Sequence, residues 1–95
     1  MAQTAADPRI AVRQEVERLA SGGQVDPGEV FRLGGAALQL RMPREADAMF
    51  AMAVRILHHY IERRDAPRAL SVEGAIYNTF VKAVEDEDHC EKQRS

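Results

Sequence analysis

Residues 30–57, VFRLGGAALQLRMPREADAMFAMAVRIL, decide the fold. In the first half Val30, Leu33, Ala37 and Leu40 recur at helical spacing and form one apolar stripe. Phe31, Leu38 and Met42, with Gly35 between them, form a second stripe on another face. Pro43 must interrupt this helix, because its ring disfavours helical geometry at Met42 and it lacks the N–H that a continuing helix needs. A new helix follows from Arg44, with Ala46, Met49, Phe50, Ala53, Leu57, Tyr60 and Ile61 in an i, i+3, i+4, i+7 series. The stretch therefore reads as two helices joined by a tight turn. Gly34, Ala37, Ala46 and Ala53 are small where the helices approach, and Leu33 and Phe50 are large where the gap is filled.

Upstream, Asp26 is placed to cap the second helix, Pro27 occupies its first turn, and Glu29 falls three residues after the cap. Val25 and Val30 are spaced as a hydrophobic staple across that boundary. Asp7-Pro8 repeats the cap-and-proline start for an earlier helix, on which Val12, Val16, Leu19 and Ala20 face inward. Ser21-Gly22-Gly23 ends it. Downstream, Pro67 restarts the pattern, and Val72, Ala75, Ile76, Thr79, Phe80, Ala83 and Val84 face the body of the protein. Leu70, Tyr77 and Val81 form an additional stripe, more apolar surface than a lone covering helix requires.

Helices are thus expected over residues 8–21, 27–41, 44–63 and 68–85, as an all-α, four-helix antiparallel array in one domain spanning residues 1–95. Residues 1–6 carry no pattern and are expected to fray, and the charged tail 86–95, DEDHCEKQRS, is expected to be disordered.

Composition narrows the function classes. A net charge of -2, with the basic pair Arg63-Arg64 flanked by Glu62 and Asp65, argues against nucleic acid, which needs clustered and uncompensated cations. Cys90 is the sole cysteine, so no intramolecular disulfide forms and a reducing compartment is the simplest expectation. The start, MAQTAADPRIAV, shows no signal peptide, and no run approaches the ~18 apolar residues of a membrane span. A cytoplasmic protein is expected. Arginine outnumbers lysine, with Lys82 and Lys92 the exceptions, and alanine is abundant, the bias of a GC-rich bacterial genome.

With Leu33-Gly34, Ala37, Ala46, Phe50 and Ala53 in unbroken register, residues 27–60 resemble a single tetratricopeptide repeat. Pro43-Arg44-Glu45-Ala46 looks like that family's interhelical turn. Val30 stands where the family prefers an aromatic and Ala37 where it prefers tyrosine. His58 takes the place of the closing proline, so the third helix is expected to run long. No second copy follows at the family's period. The resemblance implies a concave groove on the repeat's first helix, lined by Phe31, Gly35, Leu38 and Gln39 with Gly28 at its edge, which accepts an apolar helix or peptide.

Either such a partner or the chain's own first or last helix fills that groove. Likewise the stripe of Leu70, Tyr77 and Val81 is either a self-association face or plain internal packing. The chemistry-bearing residues point elsewhere than to catalysis or metal binding. His58 and His59 are adjacent and diverge by about 100° on a helix, so they do not chelate one ion. Asp86, Asp88, His89 and Cys90 offer ligand types without a second cluster, and acids surround Cys90. Glu15 and Glu17 read as solvated charge. The expectation is a non-enzymatic module with no cofactor, an adaptor or chaperone of the small bacterial tetratricopeptide kind or, alternatively, a homodimeric structural or regulatory protein. An enzyme remains only as a subunit completing another protein's site.

Overall fold

The computed structural model describes residues 7–85, which form four helices and, among the described residues, no strand. α1 spans Pro8–Ala20, α2 Pro27–Gln39, α3 Pro43–Glu62 and α4 Ala66–Ile76. α4 runs on through a π-helical turn, Tyr77–Val81, to residue 85. The α2–α3 hairpin is the centre of this all-α array. α1 packs on both its helices, and α4 lies along α3 and returns to α2 through the π turn. The expected frayed start 1–6 and disordered tail 86–95, with Asp86, Asp88, His89 and Cys90, lie outside the described residues.

One device starts three of the four helices. Asp7 Oδ1 accepts from the Arg9 N–H at 3.0 Å, and Asp26 Oδ1 from the Gly28 N–H at 3.2 Å. Asp65 Oδ1 accepts from the Arg68 N–H at 3.3 Å while its Oδ2 pairs with Arg68 Nη1 at 3.1 Å. Each aspartate satisfies an amide that has no partner within the helix, and each is followed by a proline in the first turn. The Asp65 cap moves the start of α4 to Ala66, two residues before the expected Arg68. Asp65→Ala should cost about 1 kcal/mol, read as a lower urea midpoint with an unchanged slope.

The ends of α2 and α3 share a second device. At the first, the Met42 N–H donates to the Ala37 carbonyl at 2.8 Å and the Arg41 N–H to Leu38 at 3.2 Å. At the second, Asp65 donates to Tyr60 at 2.9 Å and Arg64 to Ile61 at 3.0 Å. Both are Schellman closures, and both place an arginine, Arg41 at φ 60° and Arg64 at φ 59°, where glycine is usual. These closures end α2 at Gln39 and α3 at Glu62, short of the expected 41 and 63. Pro43 itself serves as the first residue of α3. The loop after α1 uses the expected glycines, Gly22 at φ 111° and Gly23 at φ 89°.

The core is small and apolar. Val30, Leu33 and Met49 are its largest fully buried side chains, and burying each is worth about 2 kcal/mol. Val12, Val16 and Leu19 of α1, Ala37, Met42, Ala46 and Ala53 of the hairpin, and Phe80 of the π turn complete it. No polar side chain is buried among the described residues. Ion pairs fasten α1 from outside: Arg18 Nη2 lies 3.1 Å from Glu29 Oε2 on α2, and Arg13 Nε 3.7 Å from Glu45 Oε2 on α3. Arg18 also bonds Glu15 at 2.7 Å, and that hydrogen bond, with the guanidinium charge behind it, holds the Glu15 carboxyl below the usual carboxylate range.

Several expected inward positions face water instead. Ala20 is exposed because α1 ends there. Phe50 is 37% exposed, at the edge of the hairpin and not in its gap. Ile61 lies in the last turn of α3, which at 20 residues outruns the 13 of α2 and has no α2 beneath its end. Val84 falls on the exposed side of the last helix with Tyr77, because seven residues at helical spacing bring it back to that face and about a third of a turn away from buried Val72.

Candidate functional site

Two apolar concavities flank the last helix, one on each side. The first is the groove expected on α2. Phe31, Gly35 and Leu38 are half-buried there and Gln39 is exposed, while Gly28 sits at the start of the helix against its cap. The structure supplies this groove with a cover from the chain itself. The Phe80 ring stands 6.3 Å from Phe31, and a Cβ on Gly35 would meet Thr79 Cγ2 at 3.9 Å. What stays open is a cleft of about 530 Å³ between α2 and the last helix, bordered by Phe31, Leu38, Gln39, Thr79 and Ala83.

The wedge that holds this cover is Phe80. Its ring is 6.3 Å from Phe31 and 5.3 Å from Phe50, edge-on to the latter. It also fills the space beside Gly34, where a Cβ would come within 2.7 Å of Phe80 Cε1 and still closer to Cζ. The sequence placed Gly34 at the α2–α3 contact, and Met49 Cβ is indeed 3.4 Å from that Cβ position. The tighter neighbour is the last helix, and the π turn is what aims Phe80 there.

The second concavity is the overhang itself. The end of α3 and the start of α4 enclose a cleft of about 470 Å³. Leu57, Tyr60, Ile61, Ala66, Ala69 and Leu70 line it, with Arg64, Asp65 and Glu73 at its rim. Arg68, tied to Asp65, also lies 5.9 Å from the centre of the Tyr60 ring and braces the closed end. Leu70 is 66% exposed and Ile61 56%. Tyr77 and Val81, predicted with Leu70 as one stripe, are exposed further along the same helix, and the Tyr77 hydroxyl donates to Glu85 Oε1 at 2.9 Å. Sequence reasoning marked Leu70, Tyr77 and Val81 but missed the contribution of Leu57 and Ile61, which was legible in the unequal lengths of α2 and α3.

His58 and His59 are exposed and no cluster of three or more His, Cys, Asp or Glu assembles among the described residues. No helix among them is long and apolar enough to cross a membrane. No protein-family model matches this chain, and no curated protein or solved structure matches it.

Proposed function

We propose that the chain is a non-enzymatic, cytosolic protein-interaction module whose docking surface is the outer face of α3 and α4. The observation that supports it most is the apolar overhang cleft, where large aliphatic side chains stand in water around a concavity wide enough for a side chain of a partner helix. A rim of opposite charges around an apolar floor is the composition of a protein contact. Leu57, Ile61, Ala66, Ala69 and Leu70 make most of the lining aliphatic, so what the cleft chiefly offers a partner is desolvation.

A second reading keeps the adaptor or chaperone role implied by the tetratricopeptide-like spacing. In it a partner's apolar helix enters the α2 groove of Phe31, Gly35, Leu38 and Gln39, and the open cleft beside the last helix supports it. Paired variants separate the two. In capture by a tagged chain in its source cells, with an untagged copy present, Leu70→Glu should abolish co-purification of any chain while Leu38→Asp leaves it intact, both retaining helical circular dichroism. The opposite pattern assigns docking to the α2 groove, and capture indifferent to both variants removes the interaction reading.

A further inference from the structure

The exposed face of α4 holds a residue that the single chain does not explain. Gly74 lies in the middle of the helix, takes no left-handed conformation, and a Cβ added to it would meet nothing within 4 Å. Glycine weakens a helix interior relative to alanine, and here no neighbour in the chain requires it. Leu70 precedes it by four residues and Tyr77 follows by three, so the three share a face, and Val81 is exposed a turn beyond. A bare helix surface between large apolar flanks is what a second helix needs in order to cross closely.

We propose that α4 pairs with α4 of a second copy, antiparallel about a two-fold axis beside Gly74, so that Tyr77 and Val81 of each copy seat against the overhang cleft of the other. The pairing rests on the interaction surface proposed above and names its occupant.

Three features select a second copy. First, the face is self-complementary. The cleft of Leu57, Ile61 and Leu70 lies at one end of α4 and the protruding Tyr77 and Val81 at the other, so reversing the helix brings cleft to protrusion twice. Second, the area fits. Ile61, Leu70, Tyr77, Val81 and Val84 together leave roughly 500 Å² of residue surface in water, a large part of the ~800 Å² that each partner of a stable pair contributes. Third, the charges tolerate the pairing. The cleft end carries Arg63 and Arg64 beside Glu62 and Asp65, and the far end Lys82 and Glu85, so the antiparallel pairing sets both signs against both signs and leaves neither end facing its like.

The test is light scattering of the purified full chain across a dilution series. The expected mass is twice the 10.6 kDa of one chain. Leu70→Glu should weaken the dimer by about a hundredfold, as two central losses in a two-fold contact do. Gly74→Gln has open space in the single chain, so it should keep the helical spectrum and return the mass to one chain. In a Cys90→Ser background, Gly74→Cys should cross-link to itself on oxidation, whereas Val81→Cys, about 20 Å from its copy along an antiparallel pair, should not. A monomer at every concentration overturns the second copy as occupant. If Leu70→Glu still abolishes capture in the source cells, the interaction reading survives that failure with another occupant; if it does not, both fall. A dimer that ignores Gly74→Gln, or cross-links equally through Val81→Cys, overturns the antiparallel contact at Gly74.

Discussion

Gly34→Ala is expected to lower the stability of this chain by about 1 kcal/mol net, although alanine favours a helix interior by about 1 kcal/mol over glycine. The sign is decided by the space beside α2. The added Cβ would lie within 2.7 Å of Phe80 Cε1, and closer still to Cζ, too near for two carbon atoms. A ring end on a free side chain would swing aside at little cost. Phe80 is not free, because Phe31 and Phe50 flank its ring and the residue is buried. The backbone of the π turn must therefore retreat with it, and overpacking of this kind typically costs 1–3 kcal/mol. Against a total stability of about 5–15 kcal/mol for a domain of this size, the loss is readily measured as a drop in urea midpoint. An unchanged or raised midpoint would show that the last helix yields freely and is not wedged onto α2.

How much of this was legible in the sequence depends on how local each cause is. Asp26-Pro27 and Pro43 announce helix boundaries within a few residues of themselves, and the structure begins α2 and α3 at those prolines. Asp65 was equally local, two residues before Pro67, but the proline drew the boundary past it. The helix ends at Arg41 and Arg64 carried no such signal, because the left-handed residue there is arginine and not glycine. Gly34 was recognised as small for a reason, yet its tightest neighbour comes from the other end of the chain, and periodicity does not report a contact at that distance. The π turn at Tyr77–Val81 leaves no compositional trace, whereas Val84, seven residues after exposed Tyr77, was misplaced by extending the inward stripe one position too far. The candidate surface follows the same division. Leu70, Tyr77 and Val81 stood out as surplus, whereas the cleft beside them is enclosed by the end of α3 and the start of α4 together, a relation between two helices and not a property of either.

Phe80→Ala tests whether that wedge also governs access to the α2 groove, and it is expected to cost about 3–5 kcal/mol, the largest effect of any single truncation here. Most of the loss should be local. The π turn touches α2 through Phe80 and Thr79, so once the ring is gone the segment from Tyr77 to residue 85 should exchange its amide protons faster than the α2–α3 hairpin does. Phe31, Gly35 and Leu38 would then lose their cover, and a hydrophobic dye should bind more strongly than to the parent chain. Combining the two variants makes the argument quantitative. With the ring absent, the nearest remaining neighbour of the Cβ of Gly34→Ala is Met49 Cβ at 3.4 Å, an ordinary contact distance, so in the Phe80→Ala background the alanine should stabilise by up to about 1 kcal/mol. The coupling between the two sites would be about 2 kcal/mol, within the range for residues in direct contact. If Gly34→Ala remains as destabilising without the ring as with it, the constraint at Gly34 belongs to Met49 and the α2–α3 hairpin. The last helix would then rest on α2 without being keyed to it, and the groove would be open to a competing helix at far lower cost.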